Sequence, residues 1–119
     1  MLPLALLLAL APARTQAAMT AGAGADYHAA DAAMTVQWRR TYAYMKRRDA
    51  QDHGRGGGFG YAAALLESQR AWLAYRDRQC VIEAGEFAGG SIQPMAQAQC
   101  RTRLTRERAG RLKTLMWSR

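Results

Sequence analysis

Two cysteines placed symmetrically about a glycine bend constrain this chain more than any other feature. Cys80 lies nine residues before Gly89 and Cys100 nine residues after Ser91, with Gly89-Gly90-Ser91 between them. If the flanking segments are helices folded back on each other, each climbs the same height, at roughly 1.5 Å per residue, from the turn to its thiol. The spacing therefore predicts an antiparallel helical hairpin in which the two sulfurs meet. A bridge closing a loop of about twenty residues is expected to add about 3 kcal/mol by restricting the unfolded chain.

The rest of the sequence favours helices as well. It is rich in Ala and Arg and poor in β-branched residues, and Ala, Leu, Arg, Gln and Glu lose little side-chain freedom in a helix. The expected fold is all-α: a small three-helix bundle with a long antiparallel hairpin stapled by one disulfide. Such a domain has little apolar area to bury, so a covalent staple helps it.

The segment 2–11 is apolar apart from Pro3, and 12–18 ends in small residues. This is the pattern of a secretory signal peptide, expected over 1–17 with Thr15-Gln16-Ala17 as the cleavage tripeptide. The apolar run is too short to span a bilayer. A flexible tail is expected over 18–25 and the folded domain over 26–117. Export places the chain in the periplasm or outside the cell, where two cysteines normally pair. A metal site is the competing use for thiols, but His28 and His53 show no ligand spacing to either cysteine, so no metal and no cofactor is expected.

Three helices follow from the patterning. In the first, expected over 26–48, Ala30, Met34, Trp38, Tyr42 and Met45 form one apolar face, and Lys46, Arg47 and Arg48 suit the negative end of the helix dipole. The glycine-rich run at 53–60 has no preceding strand and no following Gly-Lys-Ser/Thr, so it reads as a mobile linker and not a phosphate loop. The second helix, over 61–84, aligns Leu65, Gln69, Trp72, Arg76, Cys80 and Glu83 along one side, with Tyr75 broadening the apolar surface. Polar residues mixed into such a face are either buried and bonded to neighbours or part of a binding surface. Trp72 and Tyr75 are expected in the core. The third helix, over 93–116, is expected to start with Ser91 as its cap and to turn Cys100, Leu104, Arg108 and Leu112 inward.

Formal charge is +8. Arg101, Arg103, Arg106 and Arg111 form a basic stripe on the third helix, a candidate contact for anionic lipid or cell-wall polymer; its bland alternative is a solvated face. Without a recognition motif in an exported chain, nucleic acid is not an expected partner. A nucleophile needs an adjacent base and a glycosidase two positioned carboxylates. Neither pattern is present, and Asp77 and Glu83 fall on different faces of the second helix, so a binding module and not an enzyme is expected. The sequence leaves the oligomeric state open.

The run Gln69 to Cys80 (QRAWLAYRDRQC), followed by Glu83, Gly89-Gly90-Ser91, Pro94, Cys100, Leu104-Thr105 and Arg108, resembles the LprI-type lysozyme inhibitor N-terminal domain family of exported bacterial proteins. Ala30-Asp31 and Met34 fit its first-helix pattern, while Thr35 and Trp38 stand where that family has Asn and Tyr. The resemblance implies a helical, disulfide-stapled envelope domain that binds a lysozyme or another envelope protein. It carries over no inhibitory contact. Gln69, Trp72, Arg76, Asp77, Glu83 and Arg108 are therefore candidates for either a polar network between helices or a binding site. Because a basic inhibitor gains no steering toward a basic lysozyme, binding is expected to rely on local acids, Asp77, Glu83 or Glu86, near the turn between 83 and 94.

Overall fold

The computed structural model describes residues 14–54 and 58–118. Among the described residues, three α-helices, α1 (Gln16–Gln51), α2 (Tyr61–Ala84) and α3 (Gln93–Thr114), run down, up and down, and a 3-10 turn, Gly85–Phe87, follows α2. Contacts fix the directions. Gln16 lies against Met95 and Thr41 against Leu112, so α1 and α3 run parallel. Asp31 meets Arg76, while Asp49 meets Tyr61, so α2 runs against both.

The bounds of α2 agree with the sequence expectation and α3 ends two residues short of it, but α1 starts ten residues early. Its cap is Thr15, whose hydroxyl accepts from the Ala18 amide, and the segment expected as a flexible tail over 18–25 is helical. Gly22 and Gly24 argue locally against a helix, each costing about 1 kcal/mol relative to Ala. Packing overrides them: Ala23 is buried, and Gln16 Nε2 reaches Met95 Sδ on α3 at 3.5 Å, tertiary support of the kind on which most protein helices depend. Of the expected signal segment, 1–13 lies outside the described residues.

The glycine-rich connection is clasped at its end. The Asp49 carboxylate, near the end of α1, accepts from the amides of Gly60, Tyr61 and Ala62. It thus serves the free N–H groups of α2 from across the loop. Those bonds hold the carboxyl below its ordinary range, the Ala62 amide contributing most and partial desolvation opposing. Gly58 makes the approach possible: it has φ +112°, and a Cβ there would sit 2.9 Å from the Asp49 carbonyl oxygen.

At the other end, Gly89 adopts φ +81°, the left-handed conformation that favours glycine. Bonds from Gly90 N to Phe87 O and from Gln93 N to Gly90 O close the turn. Ser91 is not the cap of α3: Ile92 holds that position without a side-chain bond, and Pro94 sits in the first turn. Cys80 and Cys100 are bridged, with Cα atoms 5.5 Å apart and both side chains buried.

The core has two apolar centres. Met34, Met45, Leu65 and Leu112 form the lower one, flanked by Trp38, Tyr42, Tyr44 and Tyr61. Cys80, Cys100 and Leu104 form the upper one, and Trp72 packs against both. Trp72 thus takes the central place expected of it, half-buried, whereas Tyr75 does not; it lies three residues round the helix, beyond the Trp72–Arg76 stripe, and is 53% exposed. Three buried threonines complete the interior. Thr41 donates to the Leu112 carbonyl at 3.0 Å and Thr102 to the Ala98 carbonyl at 3.0 Å, while Thr105 Oγ1 accepts from Arg76.

Candidate functional site

Between the two apolar centres lies a polar layer built around Arg76. Its side chain is only 7% exposed. Nη1 reaches Asp31 Oδ1 on α1 at 3.1 Å and Thr105 Oγ1 on α3 at 3.4 Å; Nε reaches Asp77 Oδ1 at 3.0 Å. The guanidinium also lies over the rings of Tyr27 and Trp72, each 5.3 Å to the centroid. One side chain on α2 therefore ties down all three helices. Burial alone would lower its pKa, but Asp77, Tyr27 and Asp31 outweigh that and hold it above its ordinary value.

Seven residues back along the same stripe, Gln69 forms a second unit with Arg108 of α3. Gln69 is buried; its Oε1 accepts from Arg108 Nε at 2.9 Å, and its Nε2 faces Met34 Sδ at 3.8 Å. Arg108 Nη2 donates to Ser68 Oγ at 3.2 Å, and its guanidinium lies 5.7 Å from the Trp72 centroid. Burial lowers the pKa of Arg108, and nothing opposes it, because neither neighbour carries a charge.

Glu83 belongs to neither unit. It is exposed on the disulfide side, where Oε1 pairs with Arg103 Nη2 at 2.7 Å and Oε2 accepts from Gln79 Nε2 at 3.3 Å. Its Oε2 also lies 3.4 Å from Cys100 Sγ, a disulfide sulfur with no proton to give. Of the sequence-nominated basic residues, Arg103 is thus engaged by Glu83, and Arg101 lies 3.6 Å from Asp77 and over the Tyr27 ring. Arg106 and Arg111 are exposed without a carboxylate partner among the described residues, as are Arg39, Arg40 and Arg47 of α1. The basic surface is therefore shifted away from the disulfide, toward the C-terminal halves of α1 and α3.

The turn end has the opposite character. Val81, Ile82, Phe87 and Ile92 are 40–74% exposed there, Ile82 most of all. Glu86 stands among them with no ion pair among the described residues, whereas Asp77 and Glu83 are occupied by arginines of the domain itself. Sequence reasoning located this turn by its acids but missed its apolar content; the signal was Val81-Ile82 lying just off the buried stripe. Among the described residues no cluster of three or more His, Cys, Asp or Glu side chains can hold a metal, and no helix is long and apolar enough to cross a membrane.

A disulfide-stapled helical hairpin with a third helix along it, locked by a buried arginine and ending in an exposed apolar turn, defines a small all-α domain. Residues 9–112 match the family described as "Lysozyme inhibitor LprI", and the chain belongs to that family. An uncharacterized protein of Rhizobium meliloti (strain 1021) is 40% identical over 94 residues, covering 78% of this chain and 68% of that protein. No solved structure matches.

Proposed function

We propose that this chain is an exported envelope protein that binds and inhibits a lysozyme-type muramidase, with the α2–α3 turn as the contacting element. Export rests on the apolar segment at 2–11 and the small residues after it; inhibition rests on family membership. The observation that carries the contact is the turn itself. Large apolar side chains held outward on a covalently stapled hairpin are preorganised for insertion into a concave cleft, and buried apolar anchors dominate interface energies. Glu86 is the acid left to face a basic enzyme, since Asp77 and Glu83 are neutralised within the fold. No catalytic step is assigned to the chain. The test is titration of several muramidases with the oxidised protein: inhibition at micromolar concentration that Ile82→Asp weakens at least tenfold supports the reading, and full muramidase activity throughout defeats it.

The exposed cations at the other end favour a second, non-inhibitory reading, in which Arg106 and Arg111, with Arg39, Arg40 and Arg47, attach the domain to anionic lipid or cell-wall polymer. Binding to anionic vesicles that exceeds binding to neutral ones and disappears between low and physiological salt supports it; equal binding to both sinks it.

A further inference from the structure

Other arginines of α2 and α3 that make side-chain bonds meet a carboxylate: Arg76 has Asp31 and Asp77, Arg101 approaches Asp77, and Arg103, on the disulfide side, has Glu83. Arg108 does not. Its Nε and Nη2 are bound to the neutral oxygens of Gln69 and Ser68, and its Nη1 has no hydrogen-bond partner among the described residues although it is not sealed from solvent. A half-buried cation without a counterion is an unusual expense in a small domain. It lines an open cleft of about 570 Å³ together with Trp72, Glu107, Arg111 and Thr114. Arg111 and Glu107, one helical turn apart, are both exposed and form no ion pair with each other or with any other described residue. The Thr114 hydroxyl donates to the Arg111 carbonyl at 2.7 Å, so its oxygen remains able to accept a further bond.

From this arrangement we infer that the Trp72–Arg108–Arg111 cleft is a binding site for a small zwitterion of the short-peptide class, its carboxylate held by the two guanidinium groups and its ammonium by Glu107. Guanidinium matches carboxylate through paired, charge-assisted N–H donors. Glu107 at the rim selects against phosphate and other polyanions, which would bring further negative charge against it, and favours a ligand that carries its own cation. The cleft exceeds the volume of a single carboxylate, leaving room for a residue or two of peptide beside the Trp72 edge. The site lies on the α2–α3 face eight or more residues from the apolar turn, so it stands independently of muramidase inhibition.

The test is calorimetric titration of the oxidised full chain with four probes: alanyl-alanine, its C-terminal amide, its N-acetyl form and inorganic phosphate. Alanyl-alanine is expected to bind, with the amide at least tenfold weaker for want of charge-assisted bonds, the N-acetyl form several-fold weaker, and phosphate not measurably. Arg111→Gln, an exposed substitution that leaves the fold intact, is expected to remove the preference for the free carboxylate. Arg108→Lys, which keeps the charge but loses the fork, is expected to weaken binding while the circular dichroism spectrum is retained. Equal affinity for the dipeptide and its amide, tighter binding of phosphate, or no heat from any probe at millimolar concentration would each overturn the assignment. Muramidase titration of the same sample reports separately on inhibition.

Discussion

Reduction of the Cys80–Cys100 bridge perturbs the domain without replacing any side chain, so its effect can be worked from the fold. The bridge closes a separation of 20 residues, for which the chain-entropy relation gives about 3 kcal/mol at 25 °C. A domain of roughly 100 residues loses about 4–8 °C of melting temperature per kcal/mol, so the reduced protein is expected to melt about 12–24 °C below the oxidised one. The helices themselves do not need the bond: Arg76 still ties α2 to α1 and α3, and the lower apolar centre contains neither cysteine. The reduced chain should therefore keep its far-ultraviolet helical spectrum at 10 °C and unfold in a single, earlier transition. The assay is thermal circular dichroism of oxidised and reduced samples, with free thiols counted in each. A shift below about 5 °C would refute the view that the staple restricts the unfolded chain. Complete loss of helix on reduction would refute the view that the buried arginine holds the bundle.

The remaining predictions concern the polar groups. Arg76→Lys replaces a fork bonded to Asp77, Asp31 and Thr105 by a single ammonium; it is expected to cost about 1–3 kcal/mol, read from the urea midpoint, the figure kept modest because Asp31 and Asp77 are themselves partly exposed. Thr41→Val should cost about 1 kcal/mol in the same assay by removing the buried bond to the Leu112 carbonyl. Asp49 has its folded pKa lowered, chiefly by the Ala62 amide, so its contribution is complete above the unfolded carboxylate range and is lost as pH falls through the folded value. Asp49→Asn is accordingly expected to melt below wild type at neutral pH, with the gap closing under strongly acid conditions; a gap that persists unchanged to low pH contradicts the clasp. Gly89→Ala, at φ +81°, should destabilise the turn by about 1 kcal/mol.

Much of the fold was legible because its signals are local or symmetric. The cysteines equidistant from a Gly-Gly turn located the hairpin, and glycines on either side of α2 fixed its ends. The start of α1 was not legible, because Gly22 and Gly24 read as flexible chain while the burial of Ala23 is a tertiary event. The Asp49 clasp was missed for a similar reason: the capping carboxylate precedes its helix by a whole loop, beyond any capping pattern that a window of sequence displays. Threonine is a residue type found mostly at the surface, so residue type alone gives no sign that Thr41, Thr102 and Thr105 each bury a hydroxyl that bonds to a backbone carbonyl or to Arg76. Within the candidate site, mixed polarity along α2 marked Gln69 and Arg76 as buried and bonded or binding, and the geometry brings both into contact with other helices. Helical spacing could not show that Asp77 would pair with its own neighbour Arg76, nor that Arg101 and Arg103 would be tied to α2 acids. Those pairings depend on rotamers and on the register across the hairpin.

Amide hydrogen exchange of the oxidised chain, alone and with an inhibited muramidase, reports whether the α2–α3 turn is the contacting element. Added protection is expected between Val81 and Pro94, with the C-terminal half of α1 unchanged. Protection confined to the basic halves of α1 and α3, leaving the apolar turn exchanging as in the free protein, would contradict it.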